Sequence, residues 1–189
     1  DENVVITISH AGYIKRTPLS EYKTQNRGGV GQKSAGTRDA DFLEHMYVAT
    51  NHNYMMFFTQ KGKCFWMRVY EIPEGSKTSK GRAIQNLINI ENDDKVKAFI
   101  CTQDLKNVDY INSHNVIMVT KKGQVKKTSL EQYSRPRVNG VAAITIREDD
   151  ELLEAKLTNG ESQILVAVKS GKLVRFEESK TRPMGRTAS

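Results

Sequence analysis

Read as apolar and polar positions, the chain repeats one figure four times: an apolar run, two or three polar residues, a glycine, then a second run. The copies are "VVITISHAGYIKR", "YMMFFTQKGKCFWMR", "NVIMVTKKGQVKK" and "QILVAVKSGKLVRF". β-branched and aromatic residues suit a pleated strand, and a glycine after polar residues supplies the positive φ of a tight hairpin. The glycines are Gly12, Gly62, Gly123 and Gly171, at intervals of 50, 61 and 48 residues. The long interval holds "QDLKNVDYINS" (103–113), which is expected to be a loop inserted between units. Each hairpin is followed by a glycine-bearing basic loop, and after the first three comes an acidic turn with another strand.

Self-similarity at about 50 residues, with three or four strands per copy, matches the blades of a propeller. The expectation is an all-β, propeller-like fold of about four blades, covering approximately 1–50, 51–102, 114–158 and 162–189. One blade cannot cover both its faces, and neighbouring blades supply the missing layer. A two-sheet sandwich would leave the repeat unexplained. Helical periodicity is weak except in "GRAIQNLINI" (81–90), which is short and ambiguous.

Charge sharpens this picture. The chain carries 29 Lys and Arg against 22 Asp and Glu, a net +7. Segments 12–38, 61–82, 121–137 and 169–186 hold six basic residues each, 24 of the 29, and only six acids. Their net charge is +18, against −11 for the remainder. Because a repeat puts equivalent positions at equivalent places, Lys15 and Arg16, Lys63 and Arg68, Lys126 and Lys127, and Lys172 and Arg175 are expected to recur along one rim. Lys33, Arg38, Lys80, Arg82, Arg135, Arg137 and Arg182 in the basic loops extend it. Such a rim suits a long, bendable polyanion better than a small ligand, and duplex DNA carries phosphates along its whole length.

Catalytic chemistry finds no constellation. "GGVGQKS" places Gln32 between Gly31 and Lys33, which breaks the phosphate-loop pattern, and no strand–loop–helix context surrounds it. His10, His45, His52 and His114 are scattered. Asp93, Asp94, Asp149, Asp150 and Glu151 fall at matching repeat positions, as turns between strands do. Cys64 and Cys101 lie alone in apolar runs, so they read as core residues of a reducing, cytoplasmic setting. No apolar run reaches the 18 or more residues of a membrane helix, and no metal, cofactor or membrane partner is expected. The first residue is Asp1, and the chain is expected to be an excised piece of something longer.

The repeat, with "KKGQVKKTSL" and "SRPRVNG" in order, resembles the C-terminal domain family of the bacterial DNA gyrase A subunit. "QNRGGVG" (25–31) is similar to that family's box, Q-R-R-G-G-K-G: Gln25, Arg27, Gly28, Gly29 and Gly31 match, whereas Asn26 and Val30 replace Arg and Lys. The hairpin motif alone is shared with the paralogous topoisomerase IV domain. The resemblance implies a β-pinwheel whose blades exchange strands, about four of a usual six being present. It implies a noncatalytic domain that wraps duplex DNA without reading its sequence. Arg27 would contact phosphate while Gly28, Gly29 and Gly31 let the backbone approach. It further implies nucleoid-associated work with the rest of the A subunit and the B subunit, in an ATP-dependent type IIA topoisomerase that uses ATP and Mg elsewhere. Alternatives are the topoisomerase IV domain, or a basic propeller that binds an acidic protein.

Overall fold

A computed structural model of the chain describes residues 2–23, 41–160, 163–167, 173–180 and 183–186. In chain order its strands are β1 (Asn3–Ser9), β2 (Tyr13–Pro18), β3 (Leu43–Thr50), β4 (Tyr54–Thr59), β5 (Lys63–Arg68), β6 (Arg82–Ala83) and β7 (Val96–Thr102). They continue with β8 (Asn115–Thr120), β9 (Val125–Ser129), β10 (Val141–Ala142), β11 (Leu152–Thr158), β12 (Gln163–Ala167) and β13 (Leu173–Glu177). The helices are one-turn α1 (Ser20–Lys23) and α2 (Val108–Ser113). The fold is all-β.

Three hairpin turns share one construction. The N–H groups of Gly12, Gly62 and Gly123 donate to the carbonyls of Ser9, Thr59 and Thr120 at 3.0, 2.9 and 2.9 Å. The glycine φ angles are 88°, 90° and 90°, a region that costs other residues roughly 1–2 kcal/mol. The Ser9, Thr59 and Thr120 hydroxyls then accept the N–H of Tyr13, Lys63 and Gln124. The acidic turns clasp the same tips. Asp41, Asp94 and Asp150 each accept one tip N–H, from Ala11, Lys61 and Lys122, at 2.9, 3.0 and 2.9 Å. Gly171 lies outside the described residues.

The chain forms two compact units, Asp1–Asn53 with Met67–Ile88, and Tyr54–Trp66 with Asn89–Ser189. In the first, the strand order is β3-β1-β2-β6. β1 is central and is buried on both faces from Val4 to Ile8. In the second, the sheets run β10-β5-β4-β7, β11-β8-β9 and β12-β13, with the last two residues of β5 belonging to the first unit. Every residue of β4 is buried, and its core includes Met56, Phe58, Ile100, Met118, Leu130 and Tyr133. Phe58 meets Tyr133 edge-on, with centroids 5.8 Å apart.

Sheets and sequence copies do not coincide. β6 comes from the loop after the second hairpin yet pairs with β2, Ile14 opposite Arg82. β10 comes from the loop after the third hairpin yet pairs with β5, Val141 opposite Cys64. One local expectation changes, and one ambiguous stretch is resolved. The inserted loop contains α2, whose Asn107 side chain caps Tyr110 N–H at 3.2 Å. Stretch 81–90 is not a helix but β6 and a 3-10 turn over Ile84–Asn86.

Candidate nucleic-acid interface

The basic loop of the first unit is built around one buried ammonium. Lys15 is 8% exposed, and its Nζ donates to the carbonyls of Ser76, Lys77 and Ser79 at 2.8, 2.9 and 2.6 Å. A loop outside any sheet leaves carbonyls unpaired, and an interior cation satisfies several at once. Burial lowers the Lys15 pKa, which the charge of Glu21 opposes. Thr17 donates its hydroxyl to Gly75 O at 3.1 Å, and Arg16 sends Nε to Ile72 O at 3.1 Å. At Gly81, φ is 85° and a Cβ would lie 2.5 Å from Ile14 O, so only glycine lets the loop settle on β2.

Braced from beneath, this loop turns other cations outward. Lys80 and Arg82 are exposed. The Lys80 ammonium lies 4.1 Å from the centroid of the Tyr13 ring, and that of Lys77 lies 4.9 Å from the centroid of Tyr22. Each tyrosine thus offers its ring face to a cation, exposed in Lys80 and half-buried in Lys77.

Equivalent bracing recurs in the second unit with different side chains. Trp66 Nε1 donates to Tyr133 O at 3.1 Å. Lys127 Nζ donates to Glu178 O at 3.0 Å and lies 3.7 Å from the Glu178 carboxylate. Lys126 Nζ donates to Arg186 O. Lys126 and Lys127 are 2% and 5% exposed, and Glu178 is 0% exposed. Burial, then the Arg186 charge, lower the Lys126 pKa. The buried Glu178 carboxylate also accepts Gly160 N–H at 3.0 Å and the Thr158 hydroxyl. Above β5, the loop at 134–140 presents Arg135, Arg137 and Val138 to solvent. Arg135 pairs with Glu131 at 2.7 Å.

The expected rim residues therefore separate by role. Lys15, Lys126 and Lys127 point inward rather than to the rim, because the loops that cover their strands need donors. Arg16 is half-buried on the carbonyls of Ile72 and Tyr70. Lys63 lies 3.3 Å from Glu91, so an acid faces its charge. Arg68 reaches over Tyr70 at 5.9 Å. Lys80, Arg82, Arg135 and Arg137 are exposed as expected. Gln25, Asn26, Arg27, Gly28, Gly29, Val30 and Gly31, with Lys33, Arg38, Lys172 and Arg182, lie outside the described residues; Arg175 is placed in β13 by its backbone alone. Sequence reasoning missed Lys77 and its Tyr22 platform. A lysine three residues before an exposed Lys in a loop beside an aromatic was the available signal.

No group of three or more His, Cys, Asp or Glu that could hold a metal occurs among the described residues. Burial raises the thiol pKa of Cys101 to about 11 and that of Cys64 well above its usual value, which makes both poor nucleophiles. No helix among the described residues is long and apolar enough to cross a membrane.

The family described as "DNA gyrase C-terminal domain, beta-propeller" matches residues 3–50, 53–103 and 114–159. The A subunits of DNA gyrase from Staphylococcus aureus strains NCTC 8325 / PS 47 and COL are each 42% identical over 189 residues, all of this chain and 21% of theirs. The chain thus spans about a fifth of the length of these relatives. Among solved structures, the C-terminal domain of DNA topoisomerase IV superposes with a TM-score of 0.81 at 29% identity, over 100% of this chain and 55% of that one. A DNA gyrase A C-terminal domain gives 0.69 at 22% identity, over 98% and 58%. The E. coli ParC C-terminal domain gives 0.72 at 14%, over 99% and 69%. The last two likenesses bear on the fold alone.

Proposed function

We propose that this chain, which belongs to the DNA gyrase C-terminal domain family, binds duplex DNA along its outward basic loops and bends it, so that a gyrase holoenzyme can introduce negative supercoils. The observation that carries the reading is the division of labour among the cations. Lys15 holds the first-unit loop from within while Lys80 and Arg82 stand exposed on it, and in the second unit Lys126 and Lys127 are buried while Arg137 is exposed.

Phosphate contacts from lysine and arginine position a duplex without reading bases, so binding should be indifferent to sequence. Arg27 in the box adds a further phosphate contact, with Gly28, Gly29 and Gly31 admitting the backbone to the duplex. The carboxylates have other work: Asp41, Asp94 and Asp150 hold hairpin tips. The chemistry of strand passage, with its ATP and Mg, is supplied by the remainder of the A subunit and by the B subunit, in the bacterial nucleoid.

The test is topological. Relaxed circular plasmid is bound by the complete subunit, treated with a type I topoisomerase and stripped of protein. Wrapping leaves a change in linking number that scales with bound protein. Binding with no such change supports a second reading, favoured by the 29% identity and 0.81 TM-score to a topoisomerase IV domain, in which the duplex is held but not wrapped. Absence of duplex binding refutes both.

A further inference from the structure

Resting on that duplex-binding reading, we propose that Val138 is an apolar wedge that enters the base stack of the bound DNA and kinks it at one step. Val138 is 82% exposed, more than any other large apolar side chain among the described residues. It occupies a corner of the tight turn 137–140, closed by Gly140 N–H donating to Arg137 O at 3.0 Å. A β-branched residue is an unusual choice there, since turns favour Gly, Pro, Asn, Asp and Ser. It gains little packing from the described residues.

The turn is fixed on both sides, so the side chain is presented rigidly. Gly140 has φ 72°, and a Cβ there would lie 2.8 Å from the Phe65 ring and 2.9 Å from Cys64 O. The next residue, Val141, pairs with Cys64 in the sheet. Asn139 Oδ1 accepts from Asn89 Nδ2 at 3.1 Å. On the other flank, Ser134 donates both its N–H and its hydroxyl to Glu131 O, at 3.0 and 2.7 Å. What projects between these anchors is Arg135, Pro136, Arg137 and Val138. The Arg137 guanidinium has no hydrogen-bond or ion-pair partner among the described residues, so it is free for phosphate.

The first-unit loop shows the contrast. Counting back from the matching glycine, Gly81, the position of Val138 is held by Ser79, whose hydroxyl donates to Ser76 O at 2.9 Å. That tip is polar and closed on itself; the second is apolar and open. Apolar wedges flanked by cations unstack base steps and bend the duplex, the cost being repaid by a longer contact track. A preformed, rigid wedge loses little entropy on insertion.

The test uses the full chain with a set of duplexes carrying 2-aminopurine at successive positions and a donor–acceptor dye pair at the ends. On duplexes short enough to admit one binding register, wild-type protein should raise 2-aminopurine fluorescence several-fold at one or two adjacent steps and shorten the end-to-end distance. V138S should abolish that rise and weaken binding roughly tenfold, with an unchanged unfolding midpoint, because an exposed side chain contributes little to the fold. V138L should retain the rise. R137A should weaken binding and flatten its salt dependence by about one contact while keeping residual unstacking at saturation. Salt-dependent binding with no unstacking at any position, or unstacking that V138S leaves intact, overturns the wedge and spares the duplex reading. No duplex binding at all overturns both.

Discussion

Replacing Lys15 by Met isolates the interior cation from everything else it could do. Met preserves most of the aliphatic stem and removes only the ammonium, which holds three carbonyls at 2.6–2.9 Å. Each hydrogen bond to a charged donor is worth about 1.5–3 kcal/mol, so the gross loss is about 4.5–9 kcal/mol. Against that stands the cost of keeping an ammonium away from water, several kcal/mol per buried ion, whose sign is visible in the lowered Lys15 pKa. Water can also reach Ser76 and Ser79, which are exposed. The net destabilisation of the first unit should be about 2–4 kcal/mol. With a urea slope of about 2 kcal/mol per molar, its midpoint falls by about 1–2 M. Amide exchange at 73–82 should accelerate more than in β1. A midpoint within 0.2 M of wild type (~0.4 kcal/mol at that slope) would refute the bracing argument, as would loss confined to DNA affinity.

Three other outcomes follow from the same geometry. Gly12→Ala should cost only about 1–2 kcal/mol, the left-handed penalty, because no atom of the described residues beyond its chain neighbours lies within 4 Å of the new methyl; Gly140→Ala should cost more and shift the Arg137 turn, as thermal unfolding and amide shifts would report. Glu178→Leu strands the Lys127 ammonium, which should destabilise the second unit by about 3–5 kcal/mol in urea. Asp150 is nudged upward by burial, but bonds from Thr120, Lys122 and Glu151 and the Lys122 charge carry its pKa below the usual value. A folded-state pKa lower than the unfolded one stabilises above about pH 4 and loses that contribution as pH falls through the folded value. Asp150→Asn should therefore flatten the acid limb of the stability curve.

The hairpins were legible because a turn is a local matter. Gly12, Gly62 and Gly123 sit where backbone φ is positive, and Ser or Thr three residues earlier supplies the hydroxyl that accepts the next N–H. The acids of the turns were legible for the same reason. Lys15, Lys126 and Lys127 were not, since alternation along a strand tells two faces apart but cannot say which face a later loop will cover. Their partners lie 51 to 64 residues away. Trp66 shows how little residue type alone decides. It performs with an indole N–H the task that Arg16 performs with Nε and Lys127 with an ammonium. The helix α2 was missed because six residues cannot display a helical period, and only the Asn107 cap announced it.

The sharpest measurement is the salt dependence of duplex binding for two variants of the full chain side by side. Lys80, Arg82 and Arg137 changed together to Ala should leave stability unchanged and lower the slope of log K against log salt by about one per lost phosphate contact, close to three in all. Lys15→Met, at a urea concentration where it remains folded, should keep the wild-type slope. If the triple variant keeps the slope and Lys15→Met loses it, the outward loops are not where the polyanion lies.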